Sequence, residues 1–313
     1  MSDPIYMHRY SLQSKSLLNS QSKRRSFDGI LLRIGDGVGC VHPWVELGDP
    51  SVDQLIASLQ IEDFRSPLLR NAMHCAQIDA EARNKGVSLF DGLSVPESHA
   101  TITVGEEQVE AAVRQGFKVV KLKLGPNIDL EMLEMLHARH PNLRWRFDFN
   151  QSLDEAKLLA FLLSLSASLV EQIDFVEDPC DRRVDMKKCS VPIAIDKGVE
   201  MCDSSYQYAV VKPAVDDVTQ VCERAQSLGL KGVFTSYMDH PVGQSYAAWM
   251  AGTANALYSQ LEMVECGLMT QGLFEENAFI EALGPIGPKW NAADGVGLGF
   301  DSLLDELDWK RVK

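Results

Sequence analysis

The chain has 313 residues, with 30 Lys and Arg against 44 Asp and Glu, a formal charge of −14 at pH 7. Its 45% hydrophobic share is that of a packed globular protein, which excludes disordered and collagen-like chains. The length suits one barrel of roughly 200–250 residues plus a smaller unit, and the acidic balance excludes a nucleic-acid partner, which needs a basic face to displace counterions.

In chain order, residues 1–10 hold no apolar leader segment. Residues 7–13 and 30–34 read as antiparallel strands joined by a polar loop carrying Lys15, Lys23, Arg24 and Arg25. Residues 51–59 and 68–84 read as helices, the second stopped by Gly86. Together they form an α+β unit. From about residue 119 the pattern changes. Residues 119–124 alternate as a strand, Gly125-Pro126-Asn127 breaks it, and a helix runs from 129 to 140. Residues 143–149 are the next strand. Ser152 and Glu155 have the spacing of a capping box, so a helix is expected to start there. The run 158–170 carries three serines and falls short of the roughly 20 residues of a membrane span; it reads as one buried helix, so no membrane partner is expected. Strands follow at 174–176, 192–196, 208–212 and 232–236, with helices at 215–228 and 242–250. Such alternation demands a parallel sheet, because each return crossing needs a helix. Without a G-x-G-x-x-G or a P-loop, a closed barrel is favoured over a nucleotide-binding sheet. The seven scattered cysteines contain no C-x-x-C, which fits reduced core thiols in a cytoplasmic protein.

Charges stand at the strand ends, where a parallel barrel builds its active site. They are Lys121 and Lys123, then Asp148, Glu177, Asp196 and Lys212. The acids are spaced by about one strand-helix repeat, so neighbouring strands each deliver one carboxylate. Three such oxygens suit Mg²⁺. Lys121 and Lys123 share one face of their strand, and Arg146, Asp148 and Asn150 share one face of theirs. A divalent cation beside a lysine base suits removal of a proton next to a carboxylate, where charge must be stabilised as it forms. A second lysine lowers the proton affinity of the first.

These residues resemble the enolase superfamily and, within it, the o-succinylbenzoate synthases. The matching segments are Val-Lys-Leu-Lys-Leu-Gly at 120–125, Arg-Phe-Asp-Phe-Asn at 146–150, Phe-Val-Glu-Asp-Pro at 175–179, Ile-Asp at 195–196 and Val-Lys-Pro at 211–213. Residues 76–82, 267–270 and 295–299 are also similar to family segments. The resemblance implies an α/β chain: an α+β capping domain over 1–95, a modified (β/α) TIM-type barrel over 96–270, and a tail from about 271 to 313 packing back on the cap. It implies Asp148, Glu177 and Asp196 as Mg²⁺ ligands, and Lys123 as the base that then assists departure of hydroxide from the same face. Lys212 would stabilise charge from the opposite face, Lys121 would set the proton affinity of Lys123, and Arg146 and Asn150 would support the site. The implied reaction is syn dehydration of a succinyl-hydroxy-cyclohexadiene carboxylate to o-succinylbenzoate in menaquinone biosynthesis. The expected partner is a small-molecule dicarboxylate, which the basic loop over 15–25 would attract; no patch encodes an oligomeric state. The rival readings are an N-acylamino acid racemase, dipeptide epimerase or cycloisomerase with the same residues, and a non-catalytic binding barrel. Dipeptide epimerases hold the substrate amine with a D-x-D near the last strand; Glu262 and Glu265 stand there instead. Departures from the family pattern are Lys197 and the segment 235–240, which is not serine-rich.

Overall fold

A computed structural model describes residues 4–18, 22–103, 105–180, 189–199 and 202–312. The chain opens with β1 (Ile5–Gln13), β2 (Ser26–Ile34) and β3 (Gly37–Val41), an antiparallel meander. Helix α1 (Val52–Gln60) starts in a capping box between Ser51 and Gln54. Helix α2 (Pro67–Lys85) carries Pro at its first turn and ends on Gly86 in the left-handed region, at φ 66°. Strand β3 was not expected from the sequence. Its glycines explain both its weak strand pattern and its place: a Cβ at Gly37 or Gly39 would lie 1.9 Å from the carbonyl oxygen of Ala76 or Ala72 on α2. The helix can lie this close only on a bare backbone.

The second unit runs β4 (Ala100–Ile102), α3 (Gly105–Arg114), β5 (Val119–Lys123), α4 (Leu130–Arg139), β6 (Arg144–Asp148), α5 (Glu155–Ser164), α6 (Ala167–Glu171), β7 (Ile173–Glu177), β8 (Ile193–Ile195), β9 (Tyr208–Val211), α7 (Val218–Leu228), β10 (Lys231–Phe234) and α8 (Pro241–Leu257). All seven strands are parallel and lie in sequence order. The segment 262–267 closes the sheet. It bonds to β10 through Gly267 N to Phe234 O (2.7 Å), and to the approach of β4 through His99 N to Cys266 O (2.7 Å). The result is an α/β barrel of the modified TIM type.

Period-two alternation sorts the strand residues. Val120, Leu122, Trp145, Phe147, Ile193, Ile195 and Val211 face the helices and form one core with them. Phe175, Ala194, Tyr208, Val210 and Val233 fill the barrel. A β-bulge opposite Trp145 and Arg146 lets β7 turn two successive residues inward, Asp174 and Phe175. Two local expectations fail. The helix after β6 is capped by Asp154, whose carboxylate accepts from Lys157 N, rather than by Ser152. The run 158–170 is two helices, not one buried helix: it breaks where Ser166 caps α6, and Leu163 is 85% exposed.

The tail forms α9 (Ala278–Ala282), α10 (Asp301–Asp305) and β11 (Lys310–Arg311), which pairs with β1. Phe274 and Ile280 pack with Phe27 and Trp44, while Leu298, Phe300 and Leu304 pack with Leu31 and Val38. The fully buried Asp79 on α2 ties the same regions together, accepting from Val38 N and Leu298 N and pairing with Arg83. Of the basic loop, Lys15 bonds through its backbone to Leu273, and Arg24 pairs with Glu46; residues 19–21 lie outside the described set. Cys40, Cys75, Cys180, Cys202, Cys222 and Cys266 form no disulfide. Among the described residues no helix is long and apolar enough to cross a membrane.

Candidate active site

The C-terminal ends of the barrel strands open into one pocket. Its walls include Lys121 and Lys123 from β5, Asp148 from β6, Glu177 from β7, and Asp196, Lys197 and Lys212 just past β8 and β9. The same alternation that sends Val120 and Leu122 to the helices sends both lysines of β5 inward. Asn150 also lines the pocket, beyond the strand end, at φ 48°; its backbone N–H donates to Asp148 Oδ1 (3.1 Å).

Lys121 and Lys212 are both engaged by carboxylates. Lys121 Nζ lies 2.6 Å from Glu177 Oε1 and 3.1 Å from Asp148 Oδ2, and Lys212 Nζ bonds Asp196 Oδ2. Burial works against the charge on both lysines, and the facing carboxylates more than offset it, so both are held well above the ordinary lysine range. Lys123 is different. Its Nζ donates only to the sulfur of Met238 (3.2 Å) and has no carboxylate partner among the described residues. Burial brings it down to about 8, with Lys121 and Lys212 adding to the shift against Asp148. The site therefore holds two fixed ammonium groups and, in the same pocket, an amine that is substantially neutral near pH 8.

The carboxylates show the complementary strain. Burial, with repulsion from Asp148 and Asp196 against the pull of Lys121, raises Glu177 to about 7. Asp148 is held below the usual range, because Lys121 and Lys123 outweigh its burial. Asp178, which the sequence reading passed over, lies behind this group. Its Oδ1 accepts from Asp196 N (3.0 Å) and burial raises it to about 6. It thereby holds the end of β8 in place.

Among the described residues no three His, Cys, Asp or Glu side chains already stand as a closed ligand set. The ammonium of Lys121 instead sits between Asp148 and Glu177. The donor set nevertheless fits a hard divalent cation: three carboxylates share one pocket, Asp196 Oδ1 is buried without a hydrogen-bond partner, and burial with the neighbouring carboxylates raises Glu177.

Arg146 does not line the pocket. It is fully buried one layer below, where Nε donates to Asp174 Oδ2 (2.7 Å), and Nη1 meets His99 Nδ1 (2.7 Å) and Glu265 O (2.5 Å). It supports the pocket floor. The first unit supplies the roof. Trp44 and Leu47 line the pocket, Trp44 Nε1 donates to Tyr237 O (2.7 Å), and Tyr237 OH donates to Asp49 (3.0 Å). These bonds hold the loop that places Met238 over Lys123. His240 is the N-cap of α8, buried between the rings of Tyr10 and Phe279. His99, Thr235 and Gly267 complete the floor. No motif marked His99, which precedes a three-residue strand.

Fold and site together define a capped parallel barrel whose reactive groups sit at the strand ends. Residues 5–82 match the family model described as o-succinylbenzoate synthase, N-terminal domain, and residues 105–217 match enolase C-terminal domain-like. The o-succinylbenzoate synthase of Bdellovibrio bacteriovorus is 27% identical over 97% of both chains. That of Yersinia pseudotuberculosis is 24% identical, over 78% of this chain and 85% of its own. Among solved structures, the L-Ala-D/L-Glu epimerase of Bacillus subtilis has a TM-score of 0.76 at 15% identity, covering 96% of this chain and 98% of that one. Muconate lactonizing enzyme of Pseudomonas fluorescens has 0.72 at 18% identity, covering 95% of each. The two family models together span more than half of the chain, which belongs to the enolase superfamily; its relatives named here by sequence are o-succinylbenzoate synthases.

Proposed function

We propose that this protein is a carbon–oxygen lyase, an o-succinylbenzoate synthase acting in menaquinone biosynthesis. The observation that carries the mechanism is the Lys123 amine, which has no carboxylate partner among the described residues and shares the pocket with two lysines fixed as cations. Lys123 takes the proton next to the substrate carboxylate, breaking the C–H bond and becoming an ammonium. From the same face it returns that proton to the departing hydroxide, which leaves as water when the C–O bond breaks. Lys212, kept charged by Asp196, faces the reacting carbon from the other wall and offsets the negative charge that develops there. Lys121 lowers the proton affinity of Lys123. Asp148, Glu177 and Asp196 would hold Mg²⁺, which supplies positive charge to the substrate carboxylate. The partner is a small dicarboxylate, and the reading includes neither nucleic acid nor membrane.

The racemase and epimerase readings use the same lysines from two faces. Against a dipeptide substrate, the segment closing the barrel offers no acid at the rim. Glu265 lies below the floor beside Arg144 and Arg146, and Glu262 pairs with Lys231. Assaying the purified protein, with Mg²⁺, on the cyclohexadiene substrate and on a panel of N-succinyl amino acids and dipeptides separates these readings. Formation of o-succinylbenzoate is expected; turnover of the panel without dehydration refutes the proposal.

A further inference from the structure

His99 touches Arg146 and the pocket, and the first contact fixes what it offers to the second. A guanidinium has only N–H donors, so the ring nitrogen that Arg146 Nη1 meets at 2.7 Å accepts. Nη1 has two hydrogens: one serves His99 Nδ1 and the other serves Glu265 O at 2.5 Å. A proton on Nδ1 would put two donors face to face. A neutral imidazole that accepts at Nδ1 carries its hydrogen on Nε2. Burial first, then the charges of Arg146 and Lys121, outweigh the upward pull of the Glu265 backbone carbonyl and hold the ring far below the usual histidine range, so it stays neutral.

That Nε2 is buried and has no hydrogen-bond partner, in a side chain that lines the pocket. Gly267 leaves the space beside it, since a Cβ there would lie 2.9 Å from His99 Cε1 and 3.0 Å from Nε2. A buried donor left unmet is costly, and a fixed, neutral one is suited to a carbonyl oxygen. Its place in the barrel says which one. Glu177 is on β7, and Asp148 and Asp196 flank it on the neighbouring strands. In the ring of eight, the segment holding Gly267 is diametrically opposite β7, and His99 is one strand further round. A substrate whose carboxylate faces the three acids therefore sends its other arm toward His99.

We propose that His99 is a substrate-binding residue whose Nε2–H donates to the ketone oxygen on the succinyl arm. The assignment rests on the proposed dehydration, and its test separates the two. Product binding is measured by titration calorimetry, with Mg²⁺ present, for o-succinylbenzoate and for 4-(2-carboxyphenyl)butanoate, which lacks the ketone. The intact protein should prefer the ketone by roughly tenfold, the value of one well-placed hydrogen bond. In His99→Asn the amide oxygen takes over the bond from Arg146 but nothing reaches the Nε2 position. This variant should melt like the parent and bind the two compounds alike, with KM raised more than kcat is lowered. In His99→Gln the amide reaches the pocket while Arg146 loses its acceptor, so part of the preference should survive at a lower melting temperature. Nitrogen-15 spectra should show the hydrogen of His99 on Nε2. A tenfold preference retained in His99→Asn, or a hydrogen on Nδ1, overturns the assignment while leaving the dehydration intact. Failure of the intact protein to form o-succinylbenzoate overturns both.

Discussion

Replacing Arg146 by Leu removes the buried cation that supports the pocket floor from below. Arg146 and Asp174 are both essentially inaccessible to solvent and meet at 2.7 Å, and the guanidinium lies 4.6 Å from the centroid of the Phe175 ring. Breaking a buried pair by deleting one partner costs about 3–5 kcal/mol, because the other charge stays buried. Asp174 keeps Arg144, whose side chain is 44% exposed and so pairs more weakly. The lower end, about 3 kcal/mol, is therefore expected. At roughly 2–4 °C per kcal/mol for a chain of this size, the melting temperature should fall by about 6–12 °C. Urea unfolding followed by fluorescence and circular dichroism, with coincident transitions and an unchanged slope, measures the loss. Arg146→Leu combined with Asp174→Val removes both charges and should recover part of it. A single-variant loss below about 1 kcal/mol, or a double variant less stable than the single, would refute the buried-pair account of the floor.

Three further outcomes follow from the site and its packing. Because Lys123 acts as the neutral amine and is brought down to about 8, kcat/KM should rise about tenfold per pH unit below 8 and level off above it; Lys121→Met removes a charge that helps lower it, so the limb should move to higher pH. Chelation by EDTA should abolish activity and added Mg²⁺ restore it. Apparent Mg²⁺ affinity by calorimetry should weaken as pH falls through about 7, where Glu177 takes up a proton. Gly39→Ala should destabilise the protein by at least 1–3 kcal/mol in thermal unfolding, since its Cβ would meet the Ala72 carbonyl oxygen at 1.9 Å.

Much of the fold was legible because its signals are local. Strands such as Val119–Lys123 alternate cleanly, and Gly86 and Gly229 stop their helices in the left-handed conformation. The charged strand ends stood out for the same reason: an isolated lysine or acid inside an apolar run has few structural uses. What escaped depends on distant neighbours. Strand β3 is specified by the helix lying on its glycines, and the segment 262–267 becomes a barrel edge only when both neighbouring strands are in place. The break between α5 and α6 hides in an apolar run because Leu163 faces solvent. Arg146 shares its strand face with Asp148, as period-two spacing requires, yet its depth and its partners Asp174 and His99 come from a bulge and from another strand. Asp178 stands in the 175–179 segment, but nothing local assigns it a role, because its bond to Asp196 N joins residues 18 apart.

The central claim is that the one unpaired amine among the three lysines removes the proton. Single-turnover conversion of the cyclohexadiene substrate by the parent and by Lys123→Ala, with Mg²⁺ and matched circular dichroism spectra, tests it directly. The account predicts that dehydration falls by about a thousandfold or more in the variant. A variant that forms o-succinylbenzoate within a few-fold of the parent rate would contradict it.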